Sequence, residues 1–278
     1  MSAVELETAV SEGRCGDRLW LYATYHCNLA CVYCLTESHP RIRDRRALPS
    51  ETVAALGAEA REAGFGSLGV TGGEVFMLPD MAEMLARLGS LLPTVALTNA
   101  TLFTDRLLGR LVPLADSGVA LQVSLDSPDA LRNDALRGPE NFAKVCESVP
   151  QLVDRGITVR IATTVDDQSD DELARLCELH RSWGVSDEDH IVRGIVKRGR
   201  AALEDMGVEP GPTDILPELT ITADGAFLHP FAPTVRNGVT DVDLLVSRQV
   251  RPLSAAVRRF LAVVADQPAG TDEAATFT

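Results

Sequence analysis

No stretch of this chain approaches the roughly 18 to 20 consecutive apolar residues that a membrane-spanning helix needs. Its start, Met-Ser-Ala-Val-Glu-Leu-Glu, lacks the basic and apolar regions of a secretory signal. Both absences lead us to expect a soluble, cytoplasmic protein. Basic residues are scarce: 26 Lys and Arg against 40 Asp and Glu leave a formal net charge of -14. A surface of that sign repels phosphate backbones, which argues against nucleic acid as a general partner. Arg41, Arg43, Arg45 and Arg46 form the only dense basic cluster, readable as a solvated loop or as a docking point for an anionic substrate or partner. A disulfide framework is also missing. Of six cysteines, three crowd into eight residues and three are scattered, which does not suit paired bridges. The chain does have bulk: 278 residues, 45% of them hydrophobic, can bury one barrel-like domain or a main domain with a small appendage.

From residue 19 to about 196, short apolar runs alternate with longer amphipathic ones, the pattern of repeated βα units and a parallel sheet. The runs predict strands over 19–24, 67–71, 94–98, 119–124, 157–164 and 190–196. Helices are predicted over 50–63, 80–90, 104–111, 141–155 and 169–183, with Ser50, Asp80, Thr104 and Ser169 as caps. Six such units curl into a partly open barrel, since the closed form uses eight. The expected fold is therefore α/β, a partial (βα)6 TIM-like barrel over 19–200 after an N-terminal segment 1–18. A small α+β C-terminal extension follows over 201–265, containing a hairpin at 219–228 and a helix at 254–264. The Gly- and Thr-rich residues 266–278 read as a disordered tail.

Cys27, Cys31 and Cys34 are the most informative residues. Soft thiolates at this density suit an iron-sulfur cluster, and three of them leave one iron open to a ligand. The same spacing also marks one face of a helix, but the string follows an apolar strand, where a loop is expected. Zinc is the competing metal; His26 and His39 are near, yet neither completes a familiar zinc spacing. Cys146 and Cys177 fall in rows of apolar residues at helical spacing and read as core thiols, whereas Cys15 lies in a polar segment and reads as exposed.

The Cys-x3-Cys-x2-Cys string, with an aromatic residue before its last cysteine, is followed one βα unit later by Thr71-Gly72-Gly73-Glu74. Ser124-Leu125-Asp126 comes after that. Together these motifs closely resemble the radical S-adenosylmethionine (radical SAM) enzymes, over about residues 19–200. The resemblance implies an oxidoreductase-type chemistry in which Cys27, Cys31 and Cys34 hold a [4Fe-4S] cluster. The open iron of that cluster is chelated by S-adenosylmethionine. It further implies that Gly72 and Gly73 offer main-chain groups to the methionine ammonium with Glu74 in support, that Ser124 and Asp126 bond the ribose or methionine portion, and that Tyr33 lies beside the adenine. Read alone, Gly72-Gly73-Glu74 is equally a tight turn with a capping acid, Asp126 a turn residue before Ser127-Pro128, and Tyr33 a core aromatic.

Asp134 with Arg137-Gly138, Thr98-Asn99 and Gly199-Arg200-Ala201 are similar to the branch that modifies peptides and related small molecules. That branch often carries further clusters in a C-terminal extension. Here His229, Pro230 and Phe231 stand where a ligand cysteine is expected, and Cys15, Cys146 and Cys177 are too few for a second all-cysteine cluster, so a single cluster is predicted. The implied partners are a peptide or small-molecule substrate and an electron donor such as flavodoxin or ferredoxin. Fewer than twenty residues precede the first strand, which leaves no room there for a peptide-recognition domain. His229 reads as ordinary hairpin packing or as a substrate contact or proton carrier, and Cys15 as an incidental thiol or a hydrogen donor. Two rival readings remain: a non-catalytic zinc or iron-sulfur docking module, and a glycyl-radical activating enzyme.

Overall fold

The computed structural model of the chain describes residues 3–44, 46–211 and 214–266. Six strands, β1 (Arg18–Thr24), β2 (Ser67–Gly72), β3 (Thr94–Thr98), β4 (Val119–Ser124), β5 (Thr158–Val165) and β6 (His190–Gly194), lie side by side in chain order. Each neighbouring pair is parallel. Helix α1 (Ala3–Ser11) precedes them; α2 (Ser50–Ala63), α3 (Met81–Gly89), α4 (Asp105–Leu111), α5 (Ala130–Arg137), α6 (Asn141–Asp154) and α7 (Asp170–Ser182) fill the crossovers, and α8 (Arg200–Leu203) follows β6. This is the expected partial barrel. β1 is buried over all but its first residue, as a parallel strand covered on both faces should be.

The C-terminal hairpin, β7 (Thr220–Thr222) and β8 (Gly225–Phe227), turns at Ala223-Asp224 as predicted. It does not stand apart: β7 runs parallel beside β1 and extends the same sheet. Strands β9 (Val235–Arg236) and β10 (Val239–Thr240) form a small ribbon, β11 (Leu245–Ser247) pairs with β8, and α9 (Leu253–Ala265) closes the described chain. One hydrophobic cluster runs from Leu6 through β1, β2, β3 and β4 to Val264.

Several local expectations need correcting. α5 was not predicted, because its buried residues are Asn133 and Arg137 and it shows no apolar stripe. The N-terminal segment contains a helix, α1, which buries only Leu6 and Ala9 and so shows little apolar pattern. The cap of α2 is Pro49, with Ser50 already helical, and Asp80 precedes α3 without a side-chain capping bond. Thr104 and Ser169 do cap, Ser169 in a reciprocal box with Glu172. Cys15 is not a surface thiol: it is buried, and burial pushes its pKa up to about 11. Cys146 and Cys177 are half-buried and not sealed in the core. Arg46 is no solvated loop residue either, since it pairs with Asp224 at 2.5 Å and lies 4.5 Å over the Tyr25 ring. The predicted disordered tail lies, beyond Asp266, outside the described residues. No described helix is long and apolar enough to cross a membrane.

Candidate active site

The loop after β1 carries the three clustered cysteines, and the end of β2 fixes its path. Gly73 N–H donates to Thr24 O at 2.7 Å and Glu74 N–H to His26 O at 2.9 Å. Such close approach needs residues without side chains. A Cβ on Gly72, whose φ is +152°, would sit 2.4 Å from Thr24 O, and one on Gly73 would sit 2.3 Å from His26 O. The two glycines therefore bring the cysteine loop against β2, and both also face the cavity beyond it.

That cavity opens at the carboxyl ends of the strands, where functional groups gather in parallel α/β folds. Cys27, Cys31, Cys34, Tyr33, Gly72, Gly73 and Ser124 all line it, so residues separated by nearly a hundred positions meet in one place. Asn99, Arg137, Thr164, Arg193 and Phe231 line it as well. Glu74 and Asp126 do not. They lie one layer behind, where each organises residues that do.

Glu74 is a crossbar between strand ends. Its Oε1 accepts from Phe76 N–H at 3.1 Å and from Thr98 Oγ1 at 2.8 Å, while Oε2 accepts from Asn99 N–H at 2.7 Å. Burial raises its pKa, and those three donors oppose the rise. Asn99 in turn directs its side-chain N–H to Cys27 Sγ at 3.7 Å and to Asn28 Oδ1 at 2.9 Å.

Asp126, with no exposed surface, pairs with Arg137 at 3.0 Å and accepts Thr164 N–H at 2.9 Å. The Tyr33 hydroxyl donates to the same carboxylate and accepts from Arg137. Burial drives the Tyr33 pKa well above its usual value, so the phenol stays protonated. Arg137 is left with one buried N–H, on Nε, that has no partner. Arg193, on β6, is a second guanidinium in the cavity, and burial lowers its pKa. The sequence signal for Arg193 was a charge inside the apolar run Ile-Val-Arg-Gly-Ile.

The thiols have little to hold them except one another's neighbourhood. Cys27 Sγ accepts from Leu29 N–H at 3.4 Å, Cys31 Sγ lies 3.6 Å from Arg137 O, and Cys34 Sγ lies 3.7 Å from Thr36 Oγ1. Burial pushes Cys27 up to about 12 and raises Cys31, so these groups become thiolates only when a cation replaces the proton. His26 and His39 do not line the cavity, and His229 opens onto a separate cleft beside Arg198 and Asp243.

Parallel strands in chain order, with three thiols and two guanidiniums at their carboxyl ends, define the class of fold as a partial α/β barrel with a thiol-lined mouth. The radical SAM superfamily profile matches residues 21–180, and the chain belongs to that superfamily. Its cofactors are a [4Fe-4S] cluster and S-adenosylmethionine, and the donor set and cavity described above fit both. The chain is 31% identical over 167 residues to the antilisterial bacteriocin subtilosin biosynthesis protein AlbA of Bacillus subtilis, covering 58% of this chain and 36% of that one. It is 30% identical to the mycofactocin maturase MftC of Mycolicibacterium smegmatis, covering 59% and 41%. The chain thus spans less than half the length of these relatives. In three dimensions it resembles SuiB of Streptococcus suis bound to S-adenosylmethionine, with a TM-score of 0.65, 17% identity, and coverage of 96% of this chain and 70% of that one. For SuiB bound to its precursor peptide SuiA the TM-score is 0.58 at 21% identity, covering 70% and 43%. At these identities the likeness shows the fold.

Proposed function

We propose that the chain is a radical SAM enzyme in which Cys27, Cys31 and Cys34 hold one [4Fe-4S] cluster and the adjoining cavity takes S-adenosylmethionine. The observation that carries this reading is the convergence of the three thiols with Gly72, Gly73 and Ser124 on one cavity wall. With the cluster held by Cys27, Cys31 and Cys34, the chemistry supplied there would be one-electron reductive cleavage of S-adenosylmethionine and hydrogen-atom abstraction from the substrate. The chain's own residues bind and orient. Main-chain groups of Gly72 and Gly73 would meet the methionine ammonium, and Arg137, whose side chain lines the cavity, suits its carboxylate. Ser124 serves the ribose or methionine portion, and Tyr33 offers an aromatic surface. Asp126 and Glu74 act through neighbours: the first holds Arg137 and Tyr33, the second holds Asn99 beside Cys27. Apolar side chains of Leu29, Leu35 and Phe231 exclude water from the same space.

We favour a peptide as the substrate. Support comes from the likeness to AlbA, a bacteriocin biosynthesis protein, and to MftC, a maturase, and from the precursor peptide bound to SuiB. Reconstitution of the full chain under anaerobic conditions with iron, sulfide and reductant should load about four irons with matching sulfide. The loaded protein should release 5′-deoxyadenosine from S-adenosylmethionine, and a fully loaded, reduced protein that leaves it intact would refute the enzymatic reading. Zinc without sulfide that is lost on Cys27→Ala would instead favour the docking-module rival. Mass spectrometry of candidate precursor peptides after incubation then separates a peptide from a small-molecule substrate.

A further inference from the structure

The strands that line the cavity with one face turn the other toward α7. Thr164 and Arg193 face the cavity, so Thr163 and His190, an odd number of residues away on their strands, face outward. There His190 meets two residues of α7, Cys177 and His180. Cys177 Sγ lies 3.4 Å from His190 Nδ1, and the two imidazole rings meet edge to face with centroids 4.7 Å apart. One ligand atom from each of the three residues falls within 4.8 Å of the others.

The hydrogen bonds around this group decide where its lone pairs are. His180 Nδ1 lies 3.0 Å from Val185 O, an acceptor only, so Nδ1 carries the proton and Nε2 the lone pair. His180 is fully buried, and that Nε2 has no partner. On the other ring, Thr163 Oγ1 donates its hydrogen to Leu125 O at 2.8 Å and must therefore accept from His190 Nε2 at 2.8 Å. That leaves the lone pair of His190 on Nδ1, facing the sulfur. Both rings thus give their outer N–H to a fixed oxygen and turn a bare nitrogen inward, the arrangement that orients metal-bound histidines. A hydrogen bond from the Cys177 thiol to His190 would account for one of those nitrogens but not for His180 Nε2.

We propose that Cys177, His180 and His190 form a second metal centre, binding one Zn(II) on the outer face of the barrel. Two imidazoles and one thiolate are a donor set that zinc accepts, with water as the fourth ligand. With bonds of about 2.3 Å to sulfur and 2.0–2.1 Å to nitrogen, tetrahedral donors sit about 3.6 Å apart, close to the 3.4 Å already present between Cys177 and His190. Binding forms the Zn–S bond and releases the Cys177 thiol proton to water, while both imidazoles enter neutral. Cys177 is only half-buried, so the ion has a way in. The centre ties the second half of α7 to β6, which lies at one edge of the sheet and pairs only with β5. It is separate from the cavity cysteines, because the sheet lies between.

The test uses the full chain carrying Cys27→Ala, Cys31→Ala and Cys34→Ala, so that the cavity thiols cannot compete. Titration with Co(II) is expected to saturate at one equivalent, with the intense visible bands of a tetrahedral site and a thiolate charge-transfer band, all displaced by Zn(II). Cys177→Ser should remove the charge-transfer band. Thr163→Val, which leaves all three ligands in place, should weaken binding about 10- to 100-fold. A folded chain that takes up no cobalt, or a charge-transfer band that survives Cys177→Ser, overturns the proposal. If the triple variant fails to fold, the same comparison is made by zinc analysis of the chain with its cluster reconstituted, with and without Cys177→Ser. Zinc retained equally by both would overturn the site.

Discussion

A carboxylate with no exposed surface must find its partners inside the protein, and Asp126 finds three: Arg137, the Tyr33 hydroxyl and Thr164 N–H. Replacing Asp126 with Asn keeps the shape but strands the Arg137 charge. Removing one partner of a buried pair costs about 3–5 kcal/mol, and urea unfolding should register a loss of that order. A shift below 1 kcal/mol would mean that water reaches the pair. Cys27→Ala should act differently, with little effect on unfolding and iron content after reconstitution falling from about four per chain to near zero. His229 gives a pH signature. Burial beside Arg198 holds its pKa down to about 4, against the opposing pull of Asp243, and its Nδ1 has no partner. The folded state therefore refuses a proton that the unfolded state accepts near 6.5. Its contribution to stability is complete above pH 6.5 and is lost as pH falls toward about 4, by on the order of 3 kcal/mol. His190, also held down to about 4, titrates in the same window, so the measurement is the difference between wild type and His229→Gln across pH 4–7. Identical acid profiles would rule out the assignment.

At the scale of elements, legibility followed the kind of side chain each element buries. The six barrel strands are apolar runs, and their ends were read to within two residues because Gly, Pro and capping residues bound them. α5 shows no apolar stripe because it buries Asn133 and Arg137, and the hydrogen bonds that make this possible reach Asp126 and Asn141, outside the helix. The same reason explains the candidate site. The cysteine spacing and the glycine pair are local and visible in the sequence. That Glu74 and Asp126 stand behind the cavity wall, and that Arg193 stands in it, depends on which strand face each occupies after pairing. Ser169, expected as a cap, forms a reciprocal box with Glu172 and supports a direct prediction. Ser169→Ala should cost about 1 kcal/mol, measurable as a lowered urea midpoint at unchanged slope, and it leaves the cavity untouched. No shift would show that α7 is held by its packing on the sheet alone.

For the whole molecule, the question is whether the C-terminal segment is an appendage or part of the barrel. The sequence predicts a small C-terminal extension over 201–265 that follows the barrel. The pairing suggests otherwise: β7 adds to the edge of β1 in parallel, and Trp20 Nε1–H donates to Glu218 at 2.5 Å across that seam. α9 places Leu253, Ala256, Val257, Phe260 and Val264 in the same apolar cluster as β1 and α2, and Glu59 of α2 receives both Arg251 and Leu253 N–H. Removing residues beyond 200 would uncover the stretch of the β1 edge that β7 pairs with and the apolar surface on which α9 packs, and would lose the burial of five apolar side chains, worth up to about 1.5–3 kcal/mol each for the larger ones. Against a total stability of about 5–15 kcal/mol, that loss is too large for the remaining barrel to absorb. A chain ending at residue 200 is therefore expected to lose cooperative unfolding and to aggregate through its exposed strand edge. A monomeric 1–200 fragment with the circular dichroism and melting temperature of the parent would show that the six-stranded barrel is self-sufficient and that the segment only decorates it.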